Sequence, residues 1–295
     1  MSKGILTSVT ASCLFAVMYF YTSLLTPLDG EEIFGWRTLL TLPCLTLFML
    51  VSKDWQRVGE LFGRVRRAPL LLLGMVGTSW LLGVQLWLFL WAPLHGRSLE
   101  VSMGYFLLPL TMVLTGRLVY GERLSGLQKV AVSCAALGVA HELYQHGSFA
   151  WETLLVMIGY PIYFILRRRC RTDHLGGLWC DMCLLVPWAL YFVIQGPMSA
   201  ADLVEHPGLY GLIPVLGAIS ACALIAYVLA SRLLPFSLFG LLSYVEPVLL
   251  VGVALLLGES IGPDQWLTYL PIWAAVLVLV LEGFKHLLRQ RRRSV

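Results

Sequence analysis

Three ionisable residues sit where water is scarce: Arg37, Asp181 and Glu246 lie inside long apolar runs of a 295-residue chain. Counting about 1.5 Å of helical rise per residue from the nearest polar break, Arg37 is roughly 8 Å deep, Asp181 roughly 9 Å and Glu246 roughly 15 Å. A charge at such depth costs on the order of 3 kcal/mol, so it persists where it meets a wet cavity, a partner or a ligand. A guanidinium does not discharge, which suits Arg37 to receive a carboxylate as a planar fork. The plainer alternative is snorkelling to head groups, or a pair with Glu31 or Glu32. Glu246 can exchange a proton or hold a cation, or stay protonated in a single interhelical hydrogen bond. Asp181 is close enough to a basic loop that an arginine there is a rival explanation for it.

Other residues extend this polar set. Trp80, Trp87 and Trp91 recur at i, i+7 and i+11 on one helical face with Gln85 nearby. Trp80 and Trp87 could line a cavity that holds an organic or cationic ligand, whereas Trp91 fits an aromatic belt at the membrane boundary. Pro109 and Pro247 each remove a backbone donor and free a carbonyl one turn back, which predicts a helix bend with a gating role. Seven cysteines, mostly inside apolar runs, do not form a disulfide framework. Cys180 and Cys183 make a C-x-x-C without a second ligand pair, so no metal is expected. Neither a Walker A loop nor an H-E-x-x-H or G-x-S-x-G motif is present, so ATP-driven and familiar hydrolytic chemistry lack support and no cofactor is expected.

The elements that must position these residues follow from composition. The chain is 58% hydrophobic and 13% charged, with mean hydropathy +0.79. A soluble domain carries about 25% charged residues, so this chain cannot clothe itself for water. A net charge of +4 is too small to suggest a nucleic-acid partner. The apolar runs are too long for barrel strands and predict an all-α polytopic protein, with spans near 4–26, 32–52, 69–92, 99–118, 125–144, 149–167, 175–196, 208–231, 236–257 and 264–285. Lys3 precedes the first run without a cleavage pattern, which reads as a retained span. With these ten spans, 19 of the 21 Lys and Arg fall at the termini or in alternate connections, while the opposite connections hold only Arg97 and collect Asp29, Glu31, Glu32, Asp202, Glu205, Glu259 and Asp264. Both termini are therefore expected in the cytoplasm.

The halves resemble each other. Tyr105 and Pro109 are followed by Gly121-Glu122, and Tyr244 and Pro247 by Gly258-Glu259. This divides the chain into repeats at 1–145 and 146–295. Five spans per repeat, an odd number, force the copies into opposite orientations, a construction recurrent in secondary transporters. Arg37 and Asp181, each in the second span of its half, become pseudo-symmetric positions of opposite charge.

These residues resemble the drug/metabolite transporter superfamily with EamA repeats, and more closely its RarD-like branch. The carriers are Glu31-Glu32 through Trp36-Arg37, Gln85 through Trp91, Glu100 through Tyr105 and Pro109 with Gly121-Glu122-Arg123, Tyr163 ahead of Arg167-Arg168, Asp181 with Pro187, and Ser231-Arg232 through Ser237. The resemblance implies ten helices in two inverted halves, a bacterial inner-membrane location, and movement of small metabolites or drugs by alternating access, commonly outward. It points to Arg37, Glu100, Tyr105 and Tyr163 as family-pattern positions, with Asp181 where the branch usually has Glu. Glu246 departs from the branch, which tends to place a small residue there, and a Glu-Pro pair is closer to the wider EamA family. A chloramphenicol-related role is not inherited.

The expected protein is thus a secondary transporter and not an enzyme, exporting amino-acid-like, zwitterionic metabolites, with metallophores or drugs as variants, and coupled to protons. It would bind a small molecule and membrane lipid, as a monomer or homodimer. An importer of organic cations is the alternative, and a membrane enzyme or lipid flippase the reading from another class.

Overall fold

The computed structural model describes residues 2–52, 55–121, 125–146, 150–196, 206–234, 242, 244–263 and 265–293. No strand occurs among them. The elements are α1 (Ser2–Tyr21), continued by a 3-10 turn at Thr22–Leu25, α2 (Gly30–Val51), α3 (Gln56–Arg67), α4 (Leu70–Leu94), α5 (Ser98–Tyr120), α6 (Gly126–His146), α7 (Trp151–Cys170), α8 (Leu175–Gln195), α9 (Leu209–Leu233), α10 (Val245–Leu256) and α11 (Trp266–Arg293).

Each apolar run singled out in the sequence carries a helix. Among the described residues six stretches are long and apolar enough to cross a membrane: Lys3–Leu25, Gly30–Val51, Leu70–Leu94, Ser98–Val119, Leu175–Gln195 and Leu209–Ala230. Lys129–His141, Val245–Leu256 and Trp266–Val278 are apolar but shorter. In α7 the charges of Glu152 and Arg167 to Arg169 occupy the ends and leave a shorter apolar middle. For the run 236–257 the helix begins at Val245, with Tyr244 as the turn residue before it, and 235–241 and 243 lie outside the described residues. So do Glu122, Arg123, Asp202, Glu205, Ser237 and Asp264.

Local chemistry fixes several helix ends. Asp29 caps α2 by accepting from the Glu32 backbone N–H at 2.8 Å, and the Glu32 carboxylate accepts from the Asp29 N–H at 3.2 Å. Gly121 ends α5 at φ +68°, a conformation that only glycine adopts without a Cβ penalty. Helix α3 was not foreseen and falls in a stretch taken as a basic connection. Val58, Leu61, Phe62 and Val65 recur at helical spacing there, and Val58 and Leu61 are buried.

The packing has a pattern. Helix α1 lies on α9 as α4 lies on α7; α1 lies on α10 as α5 lies on α7; α2 lies on α9 as α4 lies on α8. Three further pairs, α2 with α8, α5 with α10 and α6 with α11, pack on one another. The larger core joins α1, α2, α4, α7 and α8 through residues such as Met18, Met49, Leu88 and Met182, and the smaller joins α5, α6 and α11 through Phe106, Leu107 and Ile272.

Candidate functional site

A polar cluster occupies the middle of the bundle. Arg37 reaches it from α2, about two turns beyond the capped start of that helix. Helix α9 comes close enough to meet it because Gly217 has no side chain; a Cβ there would lie 2.4 Å from the Leu40 Cβ. Small residues at such crossings are how membrane helices approach. One turn on, Ser220 accepts from Arg37 Nε at 2.9 Å. The guanidinium carbon stands 5.9 Å from the centre of the Phe89 ring. Arg37 is only 1% exposed, and its Nη1 has no hydrogen-bond partner. Leaving a buried charged donor unpaired is costly, so the vacancy marks where an acceptor fits.

Glu246, Tyr105 and Tyr160 lie near enough to act on Arg37 electrostatically. The Tyr105 and Tyr160 hydroxyls share a hydrogen bond at 3.0 Å. Tyr227 lies near enough to Glu246 and Tyr160 for their charges to act on it, and Phe15 sets its edge against Phe89 and Tyr227 at 6.2 Å. No ion pair within 4 Å joins Arg37 to Glu246 among the described residues. Glu246 and the three tyrosines retain partial accessibility while Arg37, Ser220 and Phe89 are buried. A fork for an anion, a carboxylate for a cation and hydroxyls between them can together hold a molecule that carries both charges.

Asp181 belongs to a different assembly, where α4, α7 and α8 meet. Thr78 donates to its Oδ1 at 2.7 Å, Tyr163 to its Oδ2 at 3.5 Å, and Arg167 Nη1 lies 3.6 Å from Oδ2. Ser79 donates to its backbone carbonyl at 2.8 Å. Arg167 also donates to the Tyr163 hydroxyl, to Thr172 O and, at 2.8 Å, to His174 O. His174 caps α8 through Nδ1, which accepts from the Gly177 N–H at 3.2 Å. Burial, with Arg57 and Arg167 nearby, holds this imidazole below the usual histidine range and keeps it the neutral acceptor the cap requires. Gly177 is obligatory, since a Cβ would come within 2.0 Å of Thr172 O. None of the buried side-chain polar atoms of this assembly is left without a partner.

A third network lies where α5 begins. Arg97 donates to both oxygens of the buried Glu152, at 2.6 and 3.0 Å, and lies 2.9 Å from Glu100. Neighbouring carboxylates raise the affinity of Arg97 for its proton, the Glu152 hydrogen bond foremost. Glu259 accepts from the Ser98 and Leu99 N–H groups at 2.9 and 2.8 Å and so caps α5 from across the bundle. Beside it, Trp87 donates to Glu31 at 3.0 Å and stacks near Trp91 and Trp151.

The residues singled out in the sequence thus separate. Arg37, Tyr105 and Glu246 come together; Asp181 and Tyr163 form the second assembly; Glu100 and Trp87 stand in or beside the third. Gln85 clamps α4 to α7 by donating to Leu155 O at 2.6 Å, with its own oxygen unpartnered. Trp80 points outward, 62% exposed, and does not line the central space. Pro109 lies inside α5, but Pro247 falls in the first turn of α10, where a missing N–H costs nothing. The carbonyl it would free is that of Ser243, outside the described residues. Sequence reasoning missed Tyr160, Tyr227 and Ser220; Tyr160 stands three residues before Tyr163, a helical spacing that could have drawn attention to it. Among the described residues no group of three His, Cys, Asp or Glu is placed to hold a metal.

Known proteins resemble this chain over nearly its whole length. The model of the EamA-like transporter family matches residues 2–141. The chain is 44% identical to the chloramphenicol-sensitive protein RarD of Pseudomonas aeruginosa, over 99% of this chain and 98% of that one. It is 41% identical to an uncharacterized transporter of Pasteurella multocida, over 98% and 99% of the two chains, and 38% identical to one of Haemophilus influenzae, over 97% and 96%. A crystal structure 19% identical in sequence shares the fold, with a TM-score of 0.55 over 96% of this chain and 98% of that one.

Proposed function

The chain belongs to the EamA-like transporter family, in its RarD-like branch, and on that premise we propose that this multi-pass membrane transporter moves amino-acid-like, zwitterionic metabolites outward through the space between Arg37 and Glu246. The substrate carboxylate pairs with the vacant Nη1 of Arg37, and its ammonium, or an exchanged proton, with Glu246. The observation that carries this reading is the unpartnered Nη1 of the buried Arg37, with Glu246 from the other half of the chain near enough to act on it electrostatically and no ion pair between the two within 4 Å.

Ten helices cross the bacterial inner membrane in this reading, as inverted repeats over 1–145 and 146–295 with both termini in the cytoplasm. The exchange of packing partners supports it. Swapping α1, α2, α4, α5 and α6 with α7, α8, α9, α10 and α11 turns the α1–α9 contact into α7–α4, α1–α10 into α7–α5, and α2–α9 into α8–α4, and leaves the three self-paired contacts unchanged. A two-fold axis in the membrane plane has that property. One repeat rocking against the other would open the central space to each side in turn.

Vesicles containing the purified protein test the site. Glu246→Gln is expected to abolish substrate movement driven by a pH gradient, and Arg37→Lys to weaken zwitterionic or anionic substrates about tenfold or more, because an ammonium does not reproduce the fork. Full activity of Glu246→Gln under a pH gradient would remove proton coupling from the proposal.

A further inference from the structure

We propose that a groove between α3, α4 and α8 binds one anionic phospholipid, an acyl chain lying along its apolar floor and the phosphate meeting Arg66. The floor is Leu61, Met75 and Cys180, all buried, and the walls include Phe62, Val65 and Cys183. Every residue lining the groove is apolar. Phe62 remains 56% exposed at its rim, so the protein itself does not fill the space.

Charge on the page selects the occupant. Helix α3 carries Arg57, Arg64, Arg66 and Arg67 against the single acid Glu60. Arg66 follows Phe62 by four residues, so it stands one turn on, beside the same flank of the groove, and is exposed. Glu60 is two residues before Phe62 and turns to the far side of the helix. Arg64 is already engaged, donating to Cys170 O at 2.7 Å and Arg171 O at 3.0 Å, which fastens α3 to the end of α7 and holds the groove open before any lipid arrives. Trp55 meets Trp179 edge-on at 5.1 Å at the margin, an aromatic pair suited to the level of the head groups. An amphipathic helix with arginines bordering its apolar face binds anionic lipid by both terms together, burial and charge. The bound lipid would press on α8 at Cys180, the residue next to Asp181, so its binding is placed to steady the Asp181 assembly.

Native mass spectrometry of the purified full chain, with phosphatidylglycerol and phosphatidylcholine of matched acyl chains offered in equal amounts, tests the assignment. The wild type is expected to retain phosphatidylglycerol about fivefold or more over phosphatidylcholine, the preference that one arginine at a membrane surface supplies. Arg66→Gln, a surface change that should fold normally, is expected to abolish that preference and leave phosphatidylcholine retention unchanged. Cys183→Leu, which fills part of the groove, should reduce retention of both lipids. Equal retention of the two lipids by the wild type, or an undiminished preference in Arg66→Gln, would overturn the assignment. So would a dimer whose formation displaces lipid, since a second copy of the chain would then be the occupant.

Discussion

Arg37 and Asp181 are both 1% exposed, opposite in sign and about two turns into their helices, yet the regions around them are built on different terms. Around Asp181 each carboxylate oxygen has donors, the partner Arg167 has its own further acceptors, and the glycine that lets the chain close has no room for a methyl group. Around Arg37 one nitrogen is held by Ser220 and another has nothing. Two buried charges, indistinguishable by burial, therefore do different work. The satisfied one ties three helices together, and the unsatisfied one is the group that receives the substrate carboxylate in the proposed mechanism. In a transporter the first kind of region can serve as a latch that must hold in one state, and the second as the site the latch encloses.

The largest expected effect tests the satisfied region. Asp181→Ala would leave Arg167 buried without its counter-charge, and breaking a buried pair in that way costs about 3–5 kcal/mol. Thermal melting in detergent should show a steep drop in midpoint and a low yield of folded protein. A melting point close to that of the wild type would mean that Arg167 is adequately served by Thr172, His174 and Tyr163, and that Asp181 is free for another role.

How much of this contrast was legible in the sequence depends on the residue. Arg37, Asp181 and Glu246 announced themselves because a charge in an apolar run is anomalous wherever it stands. An arginine partner for Asp181 could be foreseen from its depth, and Arg167 fills that part. That Arg167 turns inward was not foreseen, because a basic residue at a helix end reads first as an orientation signal. Tyr160 and Tyr227 were invisible for another reason. A tyrosine in an apolar span is ordinary, and only the meeting of α5, α7 and α9 brings three phenols within electrostatic reach of one carboxylate. Helix α3 was legible but unread, since its period of apolar residues is short and the arginines dominate the eye. The vacancy at Nη1 had no sequence signal at all, because satisfaction of a donor is a property of the assembled bundle.

A smaller effect sharpens the same comparison. Gly177→Ala keeps every polar group of the Asp181 assembly but forces a methyl group against Thr172 O and to within 2.9 Å of Arg167 Nη2. Overpacking of this sort costs about 1–3 kcal/mol. Melting should fall by less than in Asp181→Ala, and the double variant by less than the sum, because both changes break one network. Additive losses would show that the glycine acts on its own, through the α8 cap alone.

Arg37→Met should change stability least, by about 1 kcal/mol or less in either direction, although it removes a fully buried charge. The replaced side chain gives up one hydrogen bond to Ser220 and its place over Phe89, and it also removes an unpaired donor whose burial was unfavourable. Glu246, left without a cation nearby, can take up a proton, so no uncompensated charge remains. Uptake of zwitterionic substrate by vesicles should nevertheless vanish. Melting and transport would then part company at Arg37 and move together at Asp181. If Arg37→Met instead melts as early as Asp181→Ala, the central region is a structural network like the other, and the distinction between a satisfied latch and an unsatisfied site does not describe this protein.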